Sequence, residues 1–300
     1  MGDFTPEWLA LREPLDARSR AQALAVAVAG LAGAPGARER GLTVIDLGAG
    51  TGANLRHAAP RLGGRQEWLL VERDPRLLGA MHGCMRDWAA ASGAGFEEVG
   101  ERLVVRGAQY QCTIRSACLD LATQLDALAV PHGALVCASA LLDLVSESWL
   151  RALARHIAER DAVAWFVLSY DGRIECEPPE AEDAVVRELF NLHQRTDKGF
   201  GPALGPEAGV AAMRIFAECG CGIRCAPSDW ELAPGDRTLQ HALLEGWFRA
   251  AVQIDAGQEP ALRGWLARRR AQVEAGRSKL RVGHVDVLAA PAACDWGTLR

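Results

Sequence analysis

Runs of apolar residues closed by glycine alternate along this chain with segments whose apolar positions fall three and four residues apart. LTVIDLGAG (42–50) is almost uniformly apolar up to its glycines, the form of a strand buried on both faces of a parallel sheet. EWLLVERD (67–74), the stretch around 111–117 in YQCTIRSACLDL, GALVCASA (133–140) and AVAWFVLSY (162–170) repeat that form. Helical stretches lie between them. Asp74-Pro75 starts one that runs through Trp88, and Ser146 or Ser148 starts another that ends near Glu159. Further on, the pattern predicts a helix over 206–219, a strand near 223–228, helices over 237–254 and 260–275, and a last strand GHVDVLAA (283–290). Such alternation predicts a doubly wound, Rossmann-like α/β fold, with helices on both faces of a mostly parallel sheet.

Two regions interrupt the pattern. At the amino terminus Thr5-Pro6 starts a short helix, Pro14 breaks it, and Asp16 caps a second helix that ends around the glycines at 33 and 36. Past Tyr170 the polar DGRIECEPPE (171–180) reads as a turn, and a helix follows through Gln194 into FNLHQRTDKGFGPALGP (190–206). There is no internal repeat and no low-complexity linker. The expected organisation is a single domain over 1–300. It comprises a helical cap (1–40), a first half of the sheet that binds the ligand (41–170), an insertion or lid (171–205) and a second half (206–300).

Composition narrows the function classes. Hydrophobic residues make up 49% of 300, enough for a large core. A net charge of −5 argues against a partner that is gripped by its phosphate backbone, so no nucleic acid is expected. The densest basic run, Arg268 to Arg270, reads as a solvated helix face. Nine scattered cysteines are a reduced, cytoplasmic pattern. Cys219, Cys221 and Cys225, in ECGCGIRC, read as a helix end, a glycine stop and a strand start, so no metal is expected. AQALAVAVAGLAGAPGA (21–37) imitates a signal peptide. It follows a leader carrying Asp3, Glu7, Glu13 and Asp16, and it is too short and weakly apolar to span a bilayer. A covering helix and no membrane partner are expected there.

The first strand ends in VIDLGAGTG, where Gly48, Gly50 and Gly52 allow sharp turning and close approach to a ligand. The second strand ends in Glu72, suited to accept ribose hydroxyl hydrogens. Asp46, two places before Gly48, would oppose a pyrophosphate and suits a ligand with positive groups. The loose dinucleotide form G-x-G-x-x-A is also satisfied by Gly48 to Ala53, whereas the Walker pattern is absent. VIDLGAGTG followed by LLVERDP resembles the first two motifs of the class I S-adenosylmethionine-dependent methyltransferases, over about Leu42 to Ala290. The resemblance implies a seven-stranded sheet whose last strand inserts antiparallel, with S-adenosyl-L-methionine as cofactor. It places Asp46, Gly48, Ala49, Gly50 and Gly52 at the methionine end, Glu72 with Arg73 at the ribose, and Asp120 at the adenine amino group. The rivals are an NAD(P)-dependent oxidoreductase and a non-catalytic protein that binds the same cofactor.

The segment after the fourth strand, ASALLDLVS, borders the methyl group in that fold, and its polar residues are Ser139 and Asp143. Ser139 is assigned to the cofactor. Asp143 orients cofactor or acceptor, or caps the next helix. The tetrad with two prolines that marks amino methylation of nucleic acid bases is absent there, as is any Pro-Cys pair for cytosine C5 methylation. A small polar or anionic acceptor is therefore expected, with Tyr170, Asp171 and Arg173 beside the crevice. His193 is the candidate base, and Arg195 and Lys198 the cations of a lid. The alternative for 190–206 is a helix end with favourable cations and a glycine turn. Trp8, Arg12 and Glu13 are placed to close the pocket from the other side. The sequence allows a homodimer.

Overall fold

The computed structural model describes residues 4–32 and 41–294. Strand β1 (Leu42–Leu47) divides its side chains between two cores, Val44 facing one and Ile45 and Leu47 the other. It lies between β2 (Gly64–Glu72) and β6 (Leu135–Ser139) and runs parallel to both. Outward from these, β5 (Tyr110–Cys118) pairs in parallel with β2, and β7 (Val163–Glu177) in parallel with β6. The long β10 (Lys279–Pro291) runs antiparallel between β7 and β8 (Cys221–Pro227).

These are the seven strands expected, in the order β5-β2-β1-β6-β7-β10-β8, with the last one antiparallel. The sheet has ten strands, however, not seven. A hairpin of β3 (Gly95–Val99) and β4 (Arg102–Arg106) extends the β5 edge, and β9 (Trp230–Leu232) adds to β10. The hairpin is charged and mostly exposed, with Leu103, Val104 and Val105 of β4 turned from solvent, so it lacks the long apolar run of the central strands.

Both faces of the sheet are covered. On one, α2 (Gln22–Ala32), α3 (Ala53–Leu62) and α4 (Pro75–Ser92) bury Leu24, Val28, Leu55 and Met85. α4 starts as its sequence dictates: Asp74 caps Arg76 N, Pro75 opens the first turn, and Gly93 closes the end at φ 69°. On the other face, α5 (Glu147–Ala158) and α7 (Ala208–Glu218) bury Leu150, Ile157, Ile215 and Phe216. A layer of α6 (Asp183–Gln194), α8 (Arg237–Ile254) and α9 (Glu259–Glu274) packs onto the first core through Val186, Leu244, Trp247 and Trp265.

Three expectations are corrected. Pro14 does not end the first helix; α1 spans Pro6–Ser19, with Arg12 and Asp16 paired across the proline and Leu15 in the core. Asp16 therefore caps nothing. Residues 171–177 are not a turn but the continuation of β7, held by pairing with 279–282 of β10. Finally, Arg269 is fully buried rather than solvated, because it serves as the partner of Asp183. The glycines at 33 and 36 lie outside the described residues.

Candidate active site

Strand order reverses at β1, between β2 and β6, and the carboxyl ends of these strands open into a cavity of about 170 Å³. Asp46, Gly48, Ala49, Gly50, Glu72, Arg73 and Ser139 all line it. The loop is pinned to β2 by Ala49 N donating to Val71 O at 2.9 Å, and it closes with Gly52 N on Ala49 O at 2.8 Å. Gly52 sits at φ 82°, and a Cβ there would meet the Met85 side chain at 2.1 Å. It is required for the turn into α3, not as a cavity wall.

Glu72 is fixed by three backbone donors. Its Oε2 accepts from Gly50 N (2.9 Å), and Oε1 accepts from Arg73 N (2.8 Å) and Asp74 N (3.0 Å). Asp46 is buried, and its Oδ1 accepts from Asn54 Nδ2 at 2.7 Å, while Oδ2 has no protein partner. Burial pushes this carboxyl up to about 6. Behind it, the buried Arg20 guanidinium donates to Asn54 Oδ1 and reaches Ser139 Oγ at 3.5 Å. A buried carboxylate with one unpaired oxygen is a receptor for a positive group. Phe4, Leu9 and Phe200 close this cavity with apolar surface.

A second cavity, of about 1150 Å³, adjoins the first, and Phe4, Arg12, Ala140 and Leu144 line both. Two of its wall residues are strained, Ala140 at φ 52° and Leu168 at φ 57°. They are held in place by Ala140 N on Val167 O (2.9 Å) and Leu168 N on Asp286 Oδ1 (2.8 Å). The other oxygen of the buried Asp286 accepts from Ala21 N at 2.9 Å, which ties the amino-terminal helices to the sheet beside the site.

Asp143, Tyr170, His193 and Lys198 line this larger cavity, but their surroundings divide their roles. Asp143 lies in a short 3-10 turn, and Ser146, not Asp143, caps α5 by accepting from Trp149 N. The Asp143 carboxyl is buried with Oδ1 unpaired, and burial pushes it up to about 6 against the pull of Arg12 and Lys198. Tyr170 donates its hydroxyl to Asn191 Oδ1 at 2.8 Å, and burial holds its proton far more tightly than usual. It is a wall, not a base. His193 directs Nε2 at Gln253 Oε1 (2.9 Å) and Nδ1 at the Lys198 ammonium (3.4 Å), with burial and Lys198 lowering its affinity for a proton. Its one lone pair thus faces a cation, which corrects its assignment as base. The other two Lys198 donors go to His193 O and Thr196 Oγ1, both at 2.8 Å. Lys198 therefore clips the carbonyl end of α6 while lining the cavity.

Five further assignments are corrected. Asp120 accepts from Ala122 N at 3.1 Å in its own turn, and its neighbours Leu119 and Leu121 line the smaller cavity instead. Arg173 pairs with both Asp171 and Asp229 on the surface. Arg195 is exposed on Glu207 at 3.3 Å. Trp8 and Arg12 do close the larger cavity, whereas Glu13 accepts from Arg56 (2.8 Å). Sequence reasoning missed Trp230, Trp247 and His284, which reach the larger cavity from β9, α8 and β10. No local motif marks them.

No family profile matches the chain, and no curated protein matches it in sequence. Among solved structures it is similar to a cyclopropane synthase from Mycobacterium tuberculosis, at 12% identity and a TM-score of 0.44, over 96% of this chain and 87% of that one. It is similar to a phosphoethanolamine N-methyltransferase from Haemonchus contortus, at 12% identity and a TM-score of 0.44, over 97% of this chain and 58% of that one. An arsenic(III) S-adenosylmethionine methyltransferase from Chlamydomonas reinhardtii is similar at 14% identity and a TM-score of 0.38, over 89% of this chain and 73% of that one.

Proposed function

We propose that the protein is an S-adenosylmethionine-dependent methyltransferase acting on a small molecule by in-line transfer. The observation that carries this reading is the adjoining pair of cavities. The smaller holds Asp46, Glu72 and the glycine loop at the point of strand-order reversal, and it meets the larger at Arg12, Ala140 and Leu144. The unpaired Oδ2 of Asp46 fits a cofactor with ammonium and sulfonium charges and would repel a pyrophosphate, which disfavours a dinucleotide. Glu72 would take the ribose hydroxyls, with Arg73 and Ser139 as further contacts. The proposed organisation is one domain, with residues 1–40 as cap and 178–205 as the acceptor-side wall.

Bound there, the cofactor would supply a methyl group already activated by its positive sulfur. The protein's share is alignment and exclusion of water, for which Phe4, Leu9 and Phe200 are placed. Asp143 is the proposed base. It would take the proton that an O–H or N–H acceptor gives up on being methylated.

Asp143→Asn is expected to cut turnover about 100-fold while leaving S-adenosylhomocysteine affinity within about threefold. Isotopically labelled methyl donor, incubated with small-molecule extract and read by mass spectrometry, supplies the assay. Because the Asp143 carboxyl sits at about 6, its basic form is lost as pH falls through that value. The wild-type rate should therefore drop about tenfold per unit below it, with burial raising the position of the bend against backbone hydrogen bonds, Arg12 and Lys198. Tight cofactor binding with no labelled product from any fraction would instead favour a non-catalytic binder.

A further inference from the structure

His284 lines the larger cavity from the middle of β10, and burial together with the nearby Arg12 keeps it neutral, with its value pushed down to about 3. Its Nδ1 lies 3.0 Å from Val282 O, a group that can only accept, so the proton sits on Nδ1 and the lone pair on Nε2. Among the described residues Nε2 has no protein partner. The Trp230 ring at 4.9 Å and the Tyr170 ring at 6.2 Å hold the imidazole in place.

The cavity's other buried acceptor is the Asp143 carboxylate. Its buried cations are already engaged. Arg12 pairs with Asp16 through Nε (2.9 Å) and Nη2 (3.2 Å) and lies over the Trp230 ring, while all three Lys198 hydrogens have partners. Among the described lining residues only Arg249, at the exposed rim, offers a further cation. An anion entering the interior would meet the Asp143 charge, with Arg12 already neutralised by Asp16, and a cation would meet the Lys198 charge beside Asp143, so the interior offers little net attraction to either sign. The walls are broad and flat: Trp8, Tyr170, Phe190, Trp230 and Trp247.

We propose that this cavity takes an uncharged molecule with a flat apolar body bearing O–H or N–H groups, whose hydrogens are received by Asp143 and by Nε2 of His284. The proposal rests on the methyltransferase reading only for what happens to the molecule once bound. Of the polar or anionic acceptor expected from the sequence, it keeps the polar alternative and drops the anionic one.

The test is equilibrium dialysis of the full chain, without cofactor, against naphthol, naphthylamine, naphthalene and naphthoate. Naphthol and naphthylamine are expected to bind at least about tenfold tighter than naphthalene or naphthoate. His284→Phe keeps a ring but removes Nε2 and should erase the preference for naphthol over naphthalene. His284→Gln, with an acceptor oxygen restored, should recover part of it. Asp143→Asn should narrow the gap between naphthol and naphthoate, and it decides the matter if His284→Phe does not fold. Naphthoate binding as tightly as naphthol overturns the proposal. So does the absence of binding by any probe at about 1 mM, or a preference that survives both His284→Phe and Asp143→Asn. A separate titration with S-adenosylhomocysteine keeps the two readings apart: failure there sinks the cofactor reading and leaves the probe ranking standing.

Discussion

Glu72→Ala is expected to weaken S-adenosylhomocysteine binding by about 10² to 10³, the largest effect of any single substitution on the proposed cofactor site. One carboxylate does two jobs there. It accepts Gly50 N, Arg73 N and Asp74 N, so it fixes the glycine loop against the end of β2. Oε2 also keeps lone-pair capacity toward the cavity, where a ribose hydroxyl would donate. Removing the side chain forfeits a charge-assisted hydrogen bond to the ligand, about 1.5–3 kcal/mol, and leaves Gly50 N–H without its acceptor. Together these amount to about 3–4 kcal/mol in binding. Glu72→Gln should fall between wild type and alanine, because its amide turns two donors toward backbone N–H groups that need an acceptor. Isothermal titration measures the affinity, and a melting curve checks that the variant is folded. A change under about threefold in a folded variant would remove Glu72 from the ligand and, with it, the case for a ribose there.

The parts of the molecule that could be read from the chain are those whose physics is local. The central strands are buried on both faces, so LTVIDL and AVAWFVLSY had to be mostly apolar. The turn at Gly48–Gly52 needs positive φ at each glycine, which the residue type announces. The larger cavity is different. His193 and His284 are equivalent letters in a sequence, and only the packed structure turns one lone pair toward Lys198 and leaves the other open. Trp230 and His284 meet because β10 inserts beside β7 and carries β9 with it, and Trp247 joins them at the cavity from α8. The charged extension of β7 read as a turn, since its pairing partner lies a hundred residues downstream, in 279–282. Asp171 and Arg173 followed it out of the crevice for the same reason.

Arg269→Ala is expected to be the most destabilising substitution outside the apolar core, and its neighbour Arg268 provides the control. Arg269 has 0% exposure. It forms an ion pair with Asp183, whose Oδ1 also accepts from its Nε at 3.2 Å, and its Nη1 donates to Pro178 O (2.6 Å) and Gln272 Oε1 (2.9 Å). Taking the guanidinium away strips Asp183 of its counter-charge, leaves it only the neutral donors Trp265 Nε1 (2.8 Å) and Glu180 N (2.8 Å) among the described residues, and opens a void under α6. Breaking a buried pair from one side costs about 3–5 kcal/mol, and the partial exposure of Asp183 favours the lower end. In a chain of this size that lowers the melting temperature by about 5–8 °C. Arg268 makes ion pairs too, with Glu180 (2.7 Å) and Glu182 (2.6 Å), but in solvent, so Arg268→Ala should melt close to wild type. The double change Arg269→Met with Asp183→Leu should recover part of the loss, since the stranded charge goes with its partner. Equal melting of Arg268→Ala and Arg269→Ala would show that burial of the pair is not what fastens α9 to α6. If the difference holds, the wall carrying Phe190 and His193 is anchored from behind by one buried cation. The same substitution should then loosen probe binding in the larger cavity without touching any residue that lines it.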